Sequence, residues 1–201
     1  MLCEMEREFM ANVECPYGQR GSILLVKQDF LYCSDGNETG TVQPSKSTYV
    51  IFRDGTRVEK TGPETGRVIP SDGAVRHWGD IRFRLGNFLP RWATPLALEV
   101  IEVTREGVQD ISGLEAIEEG FGGQMREHGV MYGVPGFASH FRARHGAKAW
   151  EANKDVWVVR FKALPEVPAV PSINEHTIVF LDVFVNAIRA GLKCTERRIV
   201  Q

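Results

Sequence analysis

The chain carries its hydrophobic residues in short runs separated by turn residues, with one helical stripe near its end. The first run, "SILLVKQDF" at residues 22–30, follows Pro16, Gly18 and Gly21. An apolar run entered through such punctuation predicts a strand leaving a tight turn. Residues 34–46 are dense in Gly, Ser, Asn and Pro and predict a loop; "STYVIF" then predicts a second strand, closed by Asp54 and Gly55. Residues 60–80 are again turn-rich, which predicts a mobile surface excursion.

In "PLALEVIEVTRE", residues 95–106, Leu96, Leu98 and Val100 alternate with small or charged residues before the apolar phase slips to Ile101 and Val103. A slip of this kind predicts a bulge, or a strand passing between two packing environments as a small barrel requires. Ser112 and Glu115 stand at capping-box spacing, and Gly120 is placed to stop a short helix. Residues 122–136 read as Gly-rich and irregular, and "FASHFRARHG" (137–146) as another short helix. "DVWVVRF" (155–161) sets Trp157, Val159 and Phe161 against Val156, Val158 and Arg160, a strand alternation. "ALPEVPAVPS" (163–172) holds three prolines in ten residues and predicts an extended linker. Beyond it come a strand, "HTIVFL", and a helix that Asp182 caps and Gly191 ends, with Val185, Ile188 and Leu192 on one stripe.

Composition narrows the picture. A length of 201 residues suits a single domain, and no apolar run approaches the roughly 18 to 20 residues of a membrane-spanning helix. The first ten residues carry three Glu and no apolar core of a secretory signal, so a cytoplasmic protein with no membrane partner is expected. Cys3, Cys15, Cys33 and Cys194 form no C-x-x-C pair and read as reduced thiols. His140 and His145 are five apart, off a common helix face, so no metal and no cofactor are expected. "GFGGQ" (120–124) follows a helix and lacks the lysine of a phosphate loop. A net charge of −2 supplies no global basic field, so any nucleic-acid contact must come from a local patch. One candidate is Trp78 among Arg76, His77, Arg82 and Arg84, where basic residues interleave with aromatics as single-strand binding favours; a solvated edge strand is the competing reading. Trp92, Trp150 and Trp157 are expected in the core.

Three stretches, "PYGQRGSILLVKQDF", "LPRWATPLALEVIEVTREGVQDISGLEAIEEGF" and "KAWEANKDVWVVRFKAL", together resemble the ASCH-domain proteins of phages and prophages, members of the PUA-like superfamily. The resemblance implies an α+β fold, a mostly antiparallel β-barrel with short helices. That family opens on a strand and helix ending in a G-x-K-T-x-T-R-R type motif. Here that element is missing from the start and "TIVFLDVFVNAIRAGLKCTERRIV" supplies it at the end. The order is that of a circular permutation, with residues 163–172 as the join and 173–201 as the transplanted strand and helix. Two other readings stand beside it: an extra amphipathic helix packed on the barrel, or a tail that completes a neighbouring chain in a domain-swapped dimer.

The resemblance also implies binding of RNA or a modified nucleoside, and in one branch hydrolysis of the amide of N4-acetylcytidine. It assigns that work to the motif lysine, to a threonine three residues later and to a glutamate of the short helix. Here the lysine is Lys193 and the glutamate Glu119, with Glu118 beside it; the threonine position holds Glu196, with Thr195 one place off. Arg197 and Arg198 complete the motif, and Arg82, Arg84 and Trp78 are further candidates for substrate contact. Cationic neighbours or desolvation would lower the pKa of Lys193 towards that of a base, whereas a carboxylate at 196 favours its protonated form. The rival expectation is a non-enzymatic phage accessory or anti-defence protein that grips a host protein with residues 34–80 or 122–148.

Overall fold

A computed structural model describes residues 14–35, 37, 42–71, 81–122 and 133–200. Within these the protein is a mixed α+β structure with two mostly antiparallel sheets and short helices. No described helix is long and apolar enough to cross a membrane.

The larger sheet has the order β8-β1-β6-β7-β9. Its centre is β6 (Ala97–Gly107), flanked by β1 (Ile23–Lys27) and β7 (Asp155–Ala163), both antiparallel to it. The register of β6 on β7 shifts between Val100 and Glu102, leaving Ile101 as an extra residue: the phase slip in the sequence is a bulge. Past the bulge β6 changes surroundings, for Leu98 and Val100 are buried whereas Ile101 and Glu102 are exposed.

The C-terminal segment supplies both sheet edges. β8 (Glu175–Val179) pairs in parallel with β1, β9 (Thr195–Ile199) pairs antiparallel with β7, and α4 (Asp182–Arg189) connects them. Arg198 Nη2 donates to the carbonyl of Val179 at 2.9 Å, tying the two edge strands by one side chain. The described strand pairings do not close into a ring. Val185 and Ile188 of α4 enter the core as the stripe requires, but Leu192 is 40% exposed because the helix has already ended.

The smaller sheet is a meander of β2 (Phe30–Cys33), β3 (Tyr49–Phe52), β4 (Arg57–Lys60) and β5 (Gly66–Ile69). Of the stretch 60–80 read as a surface excursion, the described residues 60–71 include the end of β4 and all of β5, and none of them is buried, whereas every residue of β2 and β3 is buried. Phe30, Val50, Phe52, Val58 and Trp92 fill one side, and Leu31, Cys33, Tyr49 and Ile51 the other. The sequence run at 22–30 is accordingly two strands. Between them Asp29 Oδ1 accepts from the backbone of Gly86 at 2.9 Å, and a Cβ on Gly86 would sit 2.9 Å from the Gln28 backbone. Only glycine allows that approach, which pins the break and turns Phe30 into the second core.

The P-R-W-A block is a single 3₁₀ turn, Arg91–Ala93, rather than a strand, and Trp92 from it is buried, as is Trp150. Trp157 is only half-buried, covered by the Arg105 guanidinium at 5.9 Å. Ser112 caps α1 (Gly113–Ala116) in the expected box: its Oγ accepts from Glu115 N, and Glu115 Oε2 accepts from Ser112 N. The chain continues into a π-turn, Ile117–Phe121, interrupted at Gly120 with φ of +95°. α2 (Gly133–His145) begins earlier than the sequence reading placed it, and α3 (Ala147–Glu151) follows. The main core, among the large sheet, α2, α3 and α4, brings Phe121, Phe137, Phe141, Trp150 and Phe184 together.

Candidate functional site

Lys193 lies in the short connection from α4 to β9, a place where lysines are usually solvated. Here its side chain is 1% exposed, and its ammonium is enclosed by oxygens. Nζ donates to the Glu119 carbonyl at 2.9 Å, to Glu119 Oε2 at 3.0 Å and to the Thr195 carbonyl at 2.6 Å, and stands 2.9 Å from Glu196 Oε2. The Phe184 ring, with its centroid 5.0 Å from Nζ, adds a cation–π contact.

The π-turn explains why Glu119 arrives there. Gly120 reverses the chain in a left-handed conformation, so that the preceding residue offers both its carbonyl and its carboxylate to one ammonium. Glu118, the alternative on sequence grounds, instead accepts from Arg160 Nη1 at 3.0 Å and from Thr195 Oγ1 at 3.3 Å. Its backbone carbonyl accepts from Cys194 N, which ties the turn to the start of β9.

Arg197 reaches the same carboxylate from β9. Its fully buried guanidinium donates from Nη1 to Glu119 Oε1 at 3.1 Å and from Nη2 to Glu106 Oε1 at 2.6 Å, with Glu115 Oε1 at 3.4 Å. Arg198 Nε stands 2.7 Å from Glu196 Oε1, an ion pair whose angle does not make a hydrogen bond. The structure thus gathers Lys193, Glu119, Thr195, Glu196, Arg197 and Arg198 in one network.

These contacts set the protonation states. Burial opposes the charge on Lys193, but Glu119 and Glu196 together outweigh it and hold its pKa above the ordinary lysine value. Of the two opposed expectations the lowered lysine pKa is overturned, and the carboxylate at 196 acts as expected, with Glu119 adding to it. Burial raises the pKa of Glu119 above the usual carboxylate value despite Lys193 and Arg197. For Glu196 burial acts the same way and loses to Lys193 and Arg198, so its pKa is lowered. The arrangement therefore supplies a fixed cation and a carboxyl group able to exchange a proton, not a neutral amine nucleophile.

Beside the network lies a cavity of about 20 Å³, with room for about one water molecule. Glu119, Lys193 and Glu196 form its charged wall, Phe121 and Phe184 its apolar one, and His140, Arg144 and His145 of α2 its outer side. The sequence weighs the two histidines only as metal ligands; the basic last turn of α2, Arg142, Arg144 and His145, is a signal there that went unread. Burial, with Arg144 nearby, lowers both histidine pKa values. Among the described residues no group of three or more His, Cys, Asp or Glu is arranged to hold a metal ion.

Arg82 and Arg84 are exposed and do not line this cavity. Arg84 belongs to the smaller sheet, where its backbone bridges Phe30 and its guanidinium stands 5.2 Å from the Tyr32 ring. Trp78, with Arg76 and His77, lies outside the described residues.

No protein-family model, no curated protein and no solved structure matches the chain.

Proposed function

We propose that the protein binds a modified nucleoside, or RNA that carries one, at the Lys193–Glu119 cavity, and that it does so on a circularly permuted, PUA-like ASCH plan in the cytoplasm. The observation that carries this reading is the Glu119 carboxylate, buried between Lys193 and Arg197 and set beside the rings of Phe121, Phe184 and His140. A nucleobase is recognised by hydrogen bonds at its edge and aromatic contact at its face, and the wall of this cavity offers both. The five-stranded sheet, with its edge strands tied by Arg198, is the part that corresponds to the barrel of that plan.

Hydrolysis of an N4-acylated cytosine is the enzymatic form of the proposal. Glu119 takes a proton from water, the resulting hydroxide attacks the acyl carbonyl, and the positive charge of Lys193, whose N–H groups are already donated, stabilises the oxyanion electrostatically. Collapse of the tetrahedral adduct breaks the C–N bond, Glu119 returns the proton to the leaving amine, and a carboxylic acid and the free cytosine result. A cavity sized for one water admits a base only when its outer side moves away, so binding includes an opening step. The test is mass-spectrometric detection of turnover on N4-acetylcytidine by the wild-type protein, Lys193→Ala and Glu119→Gln, each checked for native fold by circular dichroism. Turnover abolished in both folded variants supports the enzymatic form; wild type that neither turns over nor binds N4-acetylcytidine refutes the nucleoside reading.

One observation favours a second reading, a phage accessory protein that grips a host protein. Leu85 and Phe88 are 61% and 67% exposed on the turn that Gly86 anchors to β1 and β2. An apolar pair displayed on a rigid turn suits a protein contact. Host-protein binding that survives Lys193→Ala and fails in a Leu85→Ser, Phe88→Ser double variant would carry this reading.

A further inference from the structure

The charges around the cavity balance on its inner wall and not on its outer side. Inside, Lys193 is paired with Glu119 and Glu196, and Arg197 with Glu119, Glu106 and Glu115. On the outer side Arg144 of α2 also lines the cavity, and among the described residues no carboxylate forms a salt bridge with it and no hydrogen bond holds it. The same side presents His145, whose ring packs at 4.7 Å on Phe141, and His140, whose ring packs at 5.2 Å on Phe184. These ring contacts leave both histidines without a salt-bridge partner among the described residues. Arg198, itself paired with Glu196, also lies within electrostatic reach of Arg144 and His145. Glu196 is the carboxylate within electrostatic reach of Arg144, His140 and His145, but it is already paired with Lys193 and Arg198, so the outer side keeps an excess of positive charge that an anion would offset.

We infer that the outer side of the Lys193 cavity is a phosphate subsite, formed by Arg144 with His140 and His145, so that the ligand is a phosphorylated nucleotide rather than a free nucleoside. The inference rests on the nucleoside reading for the base and on Arg144 for the phosphate. The division of labour follows the charge. The inner wall is already neutralised and suits an uncharged base, while Arg144 offers a planar guanidinium whose paired N–H groups match two phosphate oxygens. The imidazoles donate to the same group on becoming protonated beside it. The phosphate is either the monoester of a mononucleotide or the diester of an RNA strand, which share this chemistry.

The experiment is calorimetric titration of the whole chain with N4-acetylcytidine, its 5′-monophosphate, a pentaribonucleotide containing N4-acetylcytidine, and inorganic phosphate. Wild type and Arg144→Gln are compared; Arg144 is exposed, so the variant retains the fold. The expected result is that the monophosphate binds about tenfold or more tightly than the nucleoside, as a charge-assisted hydrogen-bond pair implies, and that Arg144→Gln erases the difference. A pentamer that exceeds the monophosphate assigns the subsite to a strand diester, and the reverse assigns it to a monoester. Equal affinity for nucleoside and nucleotide, or a preference untouched by Arg144→Gln, overturns the phosphate subsite and leaves the nucleoside reading intact. Phosphate binding lost in Arg144→Gln, with no binding of N4-acetylcytidine, upholds the anion subsite and refutes the base reading. Binding of none of the four ligands overturns both.

Discussion

The ammonium of Lys193 and the carboxylate of Glu119, 74 residues apart in sequence, meet at 3.0 Å with side chains 1% and 3% exposed. Both ends of this pair have a second partner, Glu196 for the lysine and Arg197 for the glutamate. Desolvating such charges costs several kcal/mol per ion, repaid only while the network is whole.

Lys193→Met therefore leaves two buried carboxylates short of a cation, and a loss of about 3 to 5 kcal/mol is expected at neutral pH. The pH dependence has a defined sign. In wild type the pKa of Glu196 is lowered, so its contribution is present above the unfolded value of about 4.3 and is lost as pH falls through the folded value. In the variant the buried carboxyls have raised pKa values, and protonation stabilises the fold as pH falls. Between pH 7 and pH 5 the wild-type Glu196 contribution is intact and Glu119, whose pKa is raised in wild type too, gains in both proteins, so the gap narrows by what the second unpaired carboxyl adds in the variant, which urea titrations at the two pH values read.

His140 and His145 carry pKa values lowered by burial and by the neighbouring cations, so both rings are neutral at pH 7. An unfolded chain binds more protons than the folded one below the ordinary histidine value of about 6.5, so their contribution falls as pH drops through it. NMR titration of the ring protons should place both midpoints below that value. Arg144→Gln should raise the His145 midpoint without restoring the ordinary value, since burial is the larger cause and remains.

Gly120 is the one residue of the π-turn with a left-handed backbone, at φ of +95°. An added Cβ meets only ordinary contacts, Phe184 at 3.4 Å and Lys193 at 3.6 Å, so backbone strain and not crowding sets the cost. Gly120→Ala should lose about 1 to 2 kcal/mol in denaturant melts and weaken ligand binding further, because relief of the strain rotates Glu119 away from Lys193. Unchanged stability would show that the turn adopts another conformation.

What the sequence disclosed was local. The bulge in β6, the Ser112–Glu115 box and the alternation of β7 depend on neighbours within a few residues, and period and spacing expose them. Of the smaller sheet β3 was legible, as the strand read at "STYVIF"; β4 and β5 stayed hidden because Gly55, Gly62 and Pro63 make the turns dominate the composition, while the strands are four residues long. The burial of Lys193 was equally illegible, for it follows from a partner brought by a distant turn. Resemblance selected the residues of the network; only geometry separated Glu119 from Glu118 and added Glu106, Glu115 and Arg144.

Arg91, within the P-R-W-A block that carries most of the resemblance, acts at a distance from the cavity as a clamp. Its guanidinium donates to Glu175 of β8 from Nε at 3.0 Å and Nη2 at 2.9 Å, to the Pro168 carbonyl of the linker at 2.6 Å and to the Glu64 carbonyl of the β4–β5 turn at 3.1 Å. One side chain thus joins the smaller sheet, the Pro-rich segment and the edge strand of the larger sheet. Both members of the Arg91–Glu175 pair are largely buried, so Arg91→Ala strands the carboxylate and should cost about 3 kcal/mol or more. Arg91→Lys should recover little of it, because an ammonium cannot span the two carboxylate oxygens and both carbonyls with one planar fork. In an Arg91→Ala, Glu175→Gln double variant the stranded charge is gone and part of the loss returns, a coupling that a double-mutant cycle measures. The linker reports the same release. Limited proteolysis within residues 164–174 should accelerate in Arg91→Ala by more than cleavage elsewhere, and an equal acceleration throughout would instead mean that only the overall stability, and not the linker, had changed.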